Sequence, residues 1–240
     1  MRTIDAQERP ILPSATQKRT KTRIVILMLL SIGTMINYLD RTILGVVEPK
    51  LTSEIDIDPA MMGIVFSAFA WTYALAQIPG GMFLDRFGNK LTYALSIFFW
   101  STFTLLQSFS VGLKSLLLLR LGLGISEAPC FPVNSRVVSK WFPQHERARA
   151  TATYTVGEYI GLAAFSPLLF LILEHHGWRT LFFLTGGLGI AFTFVWWKFY
   201  HEPHESKTAN KEELEYIGVE NTTSVNENIP FNWHDAKRLL

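Results

Sequence analysis

The sequence predicts an all-α membrane protein of six transmembrane helices arranged as a 3+3 inverted repeat, and three observations carry that prediction. Hydrophobic residues make up 49% of the 240-residue chain and gather into six blocks, near 24–47, 61–84, 91–113, 115–138, 150–173 and 180–199. Each block holds roughly 20 residues, enough to cross a hydrocarbon core of about 30 Å at about 1.5 Å per residue. The connections between blocks alternate between rich and poor in Lys and Arg. Blocks two and five also end alike, with Pro79, Asp85, Gly88 and Lys90 answered by Pro167, Glu174, Gly177 and Arg179. Three helices followed by three similar helices must lie inverted across the membrane. A soluble bundle would keep a polar face on each helix, and block 91–113 shows none.

In chain order, residues 1–23 are a polar, basic tail carrying Arg2, Arg9, Lys18, Arg19, Lys21 and Arg23, expected to be mobile. The six-helix domain is expected over 24–199. Block one runs on through 36-INYLDRTILG-45, and its far end has Lys50 among Glu48, Glu54, Asp56 and Asp58. Block two places Tyr73 and Gln77 at i and i+4 and leads to Arg86 and Lys90. Block three is followed by Lys114. Block four contains Pro129 and Pro132, which should kink or loosen the helix, and leads to Arg136, Lys140, Arg147 and Arg149. Block five carries Gly157, Glu158 and Gly161 and leads to Arg179. Block six contains Gly186-Gly187-Leu188-Gly189, small residues suited to close helix packing. Residues 200–240 are polar, acidic around Glu212, Glu213, Glu215 and Glu220, and read as a cytoplasmic loop or tail. The basic connections place both termini in the cytoplasm. A cleaved signal would also begin with bases and an apolar run, but no small-residue cleavage site follows.

Several chemistries are disfavoured. Cys130 is the sole cysteine, so no internal disulfide or thiolate cluster forms. The six histidines show no ligand spacing, and no HExxH, GxSxG or P-loop occurs. No metal site and no catalytic set is expected.

The charged residues inside the blocks are more informative. A charge at bilayer depth costs from about 2.5 to over 10 kcal/mol, so such residues usually face a partner or water. Asp40 and Arg41 are neighbours and point about 100° apart on a helix. Arg41 shares its stripe with Asn37 and Tyr38. In block four, Arg120, Gly124, Glu127, Phe131 and Asn134 fall on one helical face. Counting depth from the block edges puts Asp40 and Arg120 at similar height, which predicts an Asp40–Arg120 pair. Glu127 lies deeper with no basic partner at its level, a setting suited to a proton carrier. Arg41, also without evident partner, offers a cation to an anion. The tryptophans Trp71, Trp100, Trp141, Trp178, Trp196 and Trp197 read as interface or packing residues.

These motifs resemble the major facilitator superfamily and, within it, the anion:cation symporters. The stretch 81-GMFLDRFGNK-90 is similar to the superfamily's loop between helices two and three, through Gly81, Asp85, Arg86, Gly88 and Lys90. Arg120 and Gly124 fit its helix-four signature. Asn37-Tyr38-Leu39-Asp40-Arg41, Glu127-Ala128-Pro129, Phe131-Pro132-Val133-Asn134, Trp141-Phe142-Pro143 with Glu146-Arg147, and Gly177-Trp178-Arg179 resemble bacterial carriers of galactonate, glucarate and galactarate. The resemblance covers roughly residues 20–200. It implies the N-terminal half of a twelve-helix fold in a bacterial inner membrane, with 200–240 opening the central loop. Asp40 and Glu127 would be proton-coupling carboxylates. Arg41 would hold the substrate carboxylate, with Asn37, Tyr38 and Tyr73 beside it. Glu158 occupies a position often held by Gln in these carriers, where it would meet substrate hydroxyls. The protein would be no enzyme and would need no cofactor beyond the coupling proton. Its partners would be a small organic anion, the lipid bilayer and a C-terminal six-helix half not contained in these residues, with no nucleic acid. The expected function is proton-driven uptake of a sugar acid. The alternatives are a carrier of another organic anion, such as an aromatic carboxylate or glycerophosphate, and a truncated membrane protein that transports nothing.

Overall fold

With apolar side chains on most sides, a backbone satisfies its amides best by bonding to itself, and helix is the local solution. The computed structural model describes residues 18–218. Among them the elements are α1 (Thr22–Ile55), α2 (Pro59–Gln107), α3 (Leu113–Glu127), α4 (Cys130–Trp141), α5 (Gln144–Phe199), a 3-10 turn (Pro203–Glu205) and α6 (Lys211–Ile217), with no strand. Four stretches are long and apolar enough to cross a membrane: α1, α2, Leu113–Trp141 (α3 with α4) and α5.

The six separate helices expected are therefore four continuous stretches here, because two connections contain no loop. In α2 the helical path is broken at Gly88 alone (φ 76°, ψ 176°). In α5 it is broken at Gly177 alone (φ 79°, ψ 169°). A side chain rarely tolerates that backbone, and glycine does. These are the same two glycines that the sequence repeat singled out. The 49 residues of α2 run about 74 Å along the helical path and the 56 of α5 about 84 Å, each more than two hydrocarbon cores. Between α3 and α4 the helix is interrupted at Ala128 and Pro129, as the two prolines led one to expect.

α1 packs mainly on α5 and α2 mainly on α3. Two apolar clusters fill the interior. One takes Ile26 to Ile36 of α1 with Leu123, Val137, Trp141 and Trp196. The other takes Leu39 to Leu51 of α1 with Leu116, Trp178 and Phe182. Asn37, Arg120 and Glu127 are buried near the seam between them. Residues 91–107 of α2 are not polar-free but inside-out. Thr92, Ser96, Ser101, Thr104 and Gln107 are buried, while Phe98, Phe99 and Leu106 face outward. Hydrocarbon is a good neighbour for Phe and a poor one for a hydroxyl, so the usual polarity is reversed. Gly186 and Gly189 of α5 approach Ser101 and Leu105 of α2, while Gly187 faces open space.

The start of the chain's described part is held, contrary to the mobile tail expected over 1–23; residues 1–17 of that tail, and 219–240 of the second one, lie outside the described residues. α1 has no side-chain cap of its own. The carboxylate of Glu213 in α6 supplies one, accepting the amides of Thr22 (3.2 Å) and Arg23 (3.0 Å) and the Thr20 hydroxyl. Asn210 Oδ1 accepts from the Thr20 amide at 3.1 Å. Tyr216 donates to Glu146 at 2.7 Å, and Glu146 also pairs with Arg23 at 2.7 Å. Glu202 holds Asn89 (2.9 Å) and Lys140 (3.1 Å). The segment after α5 is thus strapped across the Lys/Arg-rich end of the helices.

Replacing Gly88 by Ala should cost about 1–3 kcal/mol through backbone strain alone, since nothing lies within 4 Å of the added carbon. Gly187→Ala, helical and also facing open space, should leave stability unchanged or slightly raised. Thermal unfolding of both variants in one detergent checks the contrast.

Candidate functional site

The site is assembled from α1, α2, α3 and α4. Thr34 faces Asn134 (Nδ2 to Oγ1, 3.2 Å), and Arg41 faces Glu127, so α1 runs antiparallel to the α3–α4 pair. Arg41 Nε donates to Glu127 Oε1, and Nη2 contacts the same oxygen. The Glu127 side chain is fully buried, whereas 24% of the Arg41 side chain remains accessible. About a quarter of the Arg41 side chain is thus accessible, although its Nη2 is buried, while none of the Glu127 side chain is.

Aromatic rings surround the guanidinium. Its carbon lies 4.7 Å from the centroid of Tyr73, 5.0 Å from Tyr38, 5.3 Å from Phe69 and 6.0 Å from Phe131. Ring faces attract a cation without neutralising it. The Tyr73 hydroxyl is within reach of Arg41, and Asn37 is within reach of Glu127. Glu158, buried on α5, meets the Tyr38 hydroxyl. The approach of α3 to α2 depends on Gly124, where an added carbon would fall 2.7 Å from the Phe69 carbonyl oxygen and 3.0 Å from the Tyr73 amide. That contact brings Glu127, one turn along, toward Tyr73.

Two expectations are corrected. Arg41 and Glu127, both read as lacking a partner, are each other's partner. Side chains on a helix lean toward its N-terminus. On antiparallel helices Arg41 and Glu127 lean toward each other and close a gap that counting along the axis leaves open. The expected Asp40–Arg120 pair does not form among the described residues. Asp40 Oδ2 instead accepts from Trp100 Nε1 at 3.1 Å. Arg120 lies near enough for the two charges to act on each other but outside ion-pair contact. Arg120 is buried and makes no ion pair, with Nε and Nη2 lacking hydrogen-bond partners, although both carboxylates act on it electrostatically.

The other predicted residues fall as follows. Asn37, Tyr38 and Tyr73 lie beside the Arg41–Glu127 pair, and Glu158 lies beside Tyr38. Gln77 is half-buried and makes no side-chain hydrogen bond. The 81–90 motif lies away from the cavity. Asp85 pairs with Arg136 of α4 at 2.7 Å, Gly88 makes the break in α2, and the Lys90 carbonyl accepts from Trp196 at 3.2 Å. Arg86 is exposed and Gly81 half-buried, with open space beyond the latter. Phe69 was missed by sequence reasoning; it sits one turn before Tyr73 on the same face of α2, which was the available signal. Trp100, read as packing, also holds Asp40. Among the described residues no three His, Cys, Asp or Glu side chains gather as metal ligands.

Long apolar helices around a buried ion pair define a polytopic membrane protein. The chain belongs to the Major Facilitator Superfamily, whose family model matches residues 30–238. It is 47% identical over 206 residues to the "D-galactonate transporter" of Escherichia coli O6:H1, covering 86% of this chain and 48% of that protein. It is 42% identical to the "Probable galactarate/D-glucarate transporter GudP" of Escherichia coli (strain K12), covering 95% of this chain and 54% of that protein. The chain thus spans about half the length of these relatives. Among solved structures it resembles a bacterial homologue of the human lysosomal transporter Spinster, inward-facing and occupied, with TM-score 0.67 and 26% identity over 77% of this chain and 45% of the other. The inward-open xylose transporter XylE of E. coli shares the fold, with TM-score 0.65 and 14% identity over 87% of this chain and 58% of the other.

Removing either member of a buried ion pair strands the other charge. Arg41→Gln and Glu127→Gln should each destabilise the chain, and the double variant should cost less than the sum. A coupling of about 0.5–3 kcal/mol is expected from a double-mutant cycle in denaturant.

Proposed function

We propose that this chain is the N-terminal half of a secondary active transporter that couples proton entry to uptake of a sugar acid. The observation that carries the reading is the Arg41–Glu127 pair: a partly accessible arginine side chain ringed by aromatics, neutralised by a carboxylate with no access of its own. A substrate carboxylate entering the cavity would replace Glu127 on Arg41. The displaced Glu127 would then be left in an apolar site, where taking up a proton removes the cost of an unpaired charge. Binding of anion and proton would thereby favour each other, which is what symport requires. No bond-making chemistry is involved. The likeness to galactonate and galactarate/glucarate transporters supports the substrate class. The buried Glu158 beside Tyr38 favours an acid with a single carboxylate, because a second would meet a like charge.

In the same reading α2 and α5 each cross twice, reversing at Gly88 and Gly177, so that six spans form a 3+3 inverted repeat. The Lys/Arg-rich end, where 18–23 and 200–218 are strapped together, faces the cytoplasm of a bacterial inner membrane. A second six-helix half would complete the cavity and provide the body against which this one rocks.

Three outcomes test the reading. Glu127→Gln mimics the protonated acid; in a carrier that joins this chain to its second half it should keep substrate exchange and abolish proton-driven accumulation. Surviving uphill transport would remove Glu127 from coupling. Arg41→Lys replaces a planar two-pronged donor by a point charge. It should weaken anion binding roughly ten- to a hundredfold, for a lost charge-assisted bond of about 1.5–3 kcal/mol, and unchanged affinity in calorimetry would exclude Arg41 as the ligand. Cysteines placed at 52–58 should react with a periplasmic reagent, and cysteines at 86–90 or 205–215 should not; the reverse pattern would overturn the orientation.

A further inference from the structure

Asp40 is buried beside Trp100 of α2, Arg120 and Glu127 of α3 and Thr185 of α5. The Thr185 hydroxyl is committed to the Leu181 carbonyl at 3.0 Å. Glu127 is committed to Arg41. That leaves two donors for Asp40: the indole N–H, which holds Oδ2 at 3.1 Å, and the Arg120 guanidinium, whose Nε and Nη2 are buried without partners. Asp40 Oδ1 also lacks a partner. One carboxyl therefore sits between a neutral donor that holds it and a cation that does not.

We propose that Trp100 is the positioning residue for Asp40, anchoring the carboxyl to α2 and keeping it off Arg120. The ring is 0% exposed and packed in the core, so its N–H is fixed in space and costs no further ordering. Indole nitrogen only donates, so it holds the carboxyl in either protonation state. α1 otherwise meets α2 sparsely, which makes this bond a principal polar tie between the two helices beside the site. Release from Trp100 frees Asp40 to turn to Arg120, giving the carboxyl two discrete partners: a neutral one on α2 and a charged one on α3. The functional consequence, a partner exchange during proton movement, rests on the proposed coupling role of Asp40; the positioning itself does not.

The test uses the 240-residue chain in lipid nanodiscs and infrared difference spectroscopy, with the Asp40 bands picked out by Asp40→Asn. Trp100 is replaced by Phe and, separately, by benzothienylalanine, which keeps the bicyclic shape and puts sulfur where the N–H was. Both should move the Asp40 carboxyl bands away from their wild-type frequencies. The isosteric variant should do so with its thermal midpoint unchanged, a signature that a packing role would not produce. Adding Arg120→Gln to the isosteric variant should move the bands again, because the second partner is then gone. Wild-type Asp40 frequencies in the isosteric variant would overturn the proposal. An Asp40 spectrum that ignores pH in the wild type would count against the coupling role, while the isosteric comparison would still decide the positioning.

Discussion

A charge inside an apolar bundle must find a counter-charge, and the Arg41–Glu127 pair is where this structure meets that constraint. Neither residue could be buried singly without a cost of several kcal/mol. Together they fix how α1 faces α3, and the aromatic rings of Tyr38, Phe69, Tyr73 and Phe131 close around the result. The asymmetry in exposure makes the pair more than a structural clip. The carboxylate is fully buried, whereas part of the arginine side chain stays accessible; the proposed exchange of anions at Arg41 builds on that difference.

The constraint propagates through backbone devices. Gly124 lets α3 touch α2 where Tyr73 reaches Arg41. Pro129 ends the regular helix just past Glu127, so the carboxylate sits beside backbone that does not run in an unbroken ladder. Gly88 and Gly177 break the helical path of two long helices within one residue each. The polar residues of 91–107 point inward, where Trp100 takes Asp40 and Ser101 lies against the glycines of α5. At the far side of the bundle, Glu213 and Glu202 do by side chain what a loop would otherwise leave to solvent. They cap α1 and pin the segment that follows α5.

Much was legible in the sequence because the membrane writes its requirement in simple length and composition. The apolar blocks, the charges that interrupt them, the prolines of block four and the paired glycines all follow from one-dimensional rules: an unbroken apolar run needs helix, and a helix-breaking residue must sit where the helix breaks. Asn37, Tyr38 and Arg41 were placed on one stripe of α1 because helical spacing puts them there, whereas Tyr73 and Glu158, on other helices, were set beside them only by the family resemblance. The 3.6-residue period also put Asp40 and Arg41 on different faces, which the structure bears out, since one meets Trp100 and the other Glu127.

Only the tertiary structure decided who partners whom. Depth counted along separate helix axes treats each side chain as a point on its own axis. Pairing depends instead on register between helices, on tilt, and on the lean of side chains toward the helix N-terminus. That lean carries Arg41 and Glu127 together across antiparallel helices. The role of Trp100 was invisible for the same reason: it is set by a neighbouring helix, and no local spacing records the distance between helices. The sequence determined that charges would be buried and on which faces; packing in three dimensions determined that Arg41 would hold Glu127, that Trp100 would hold Asp40, and that Arg120 would be left without an ion-pair partner.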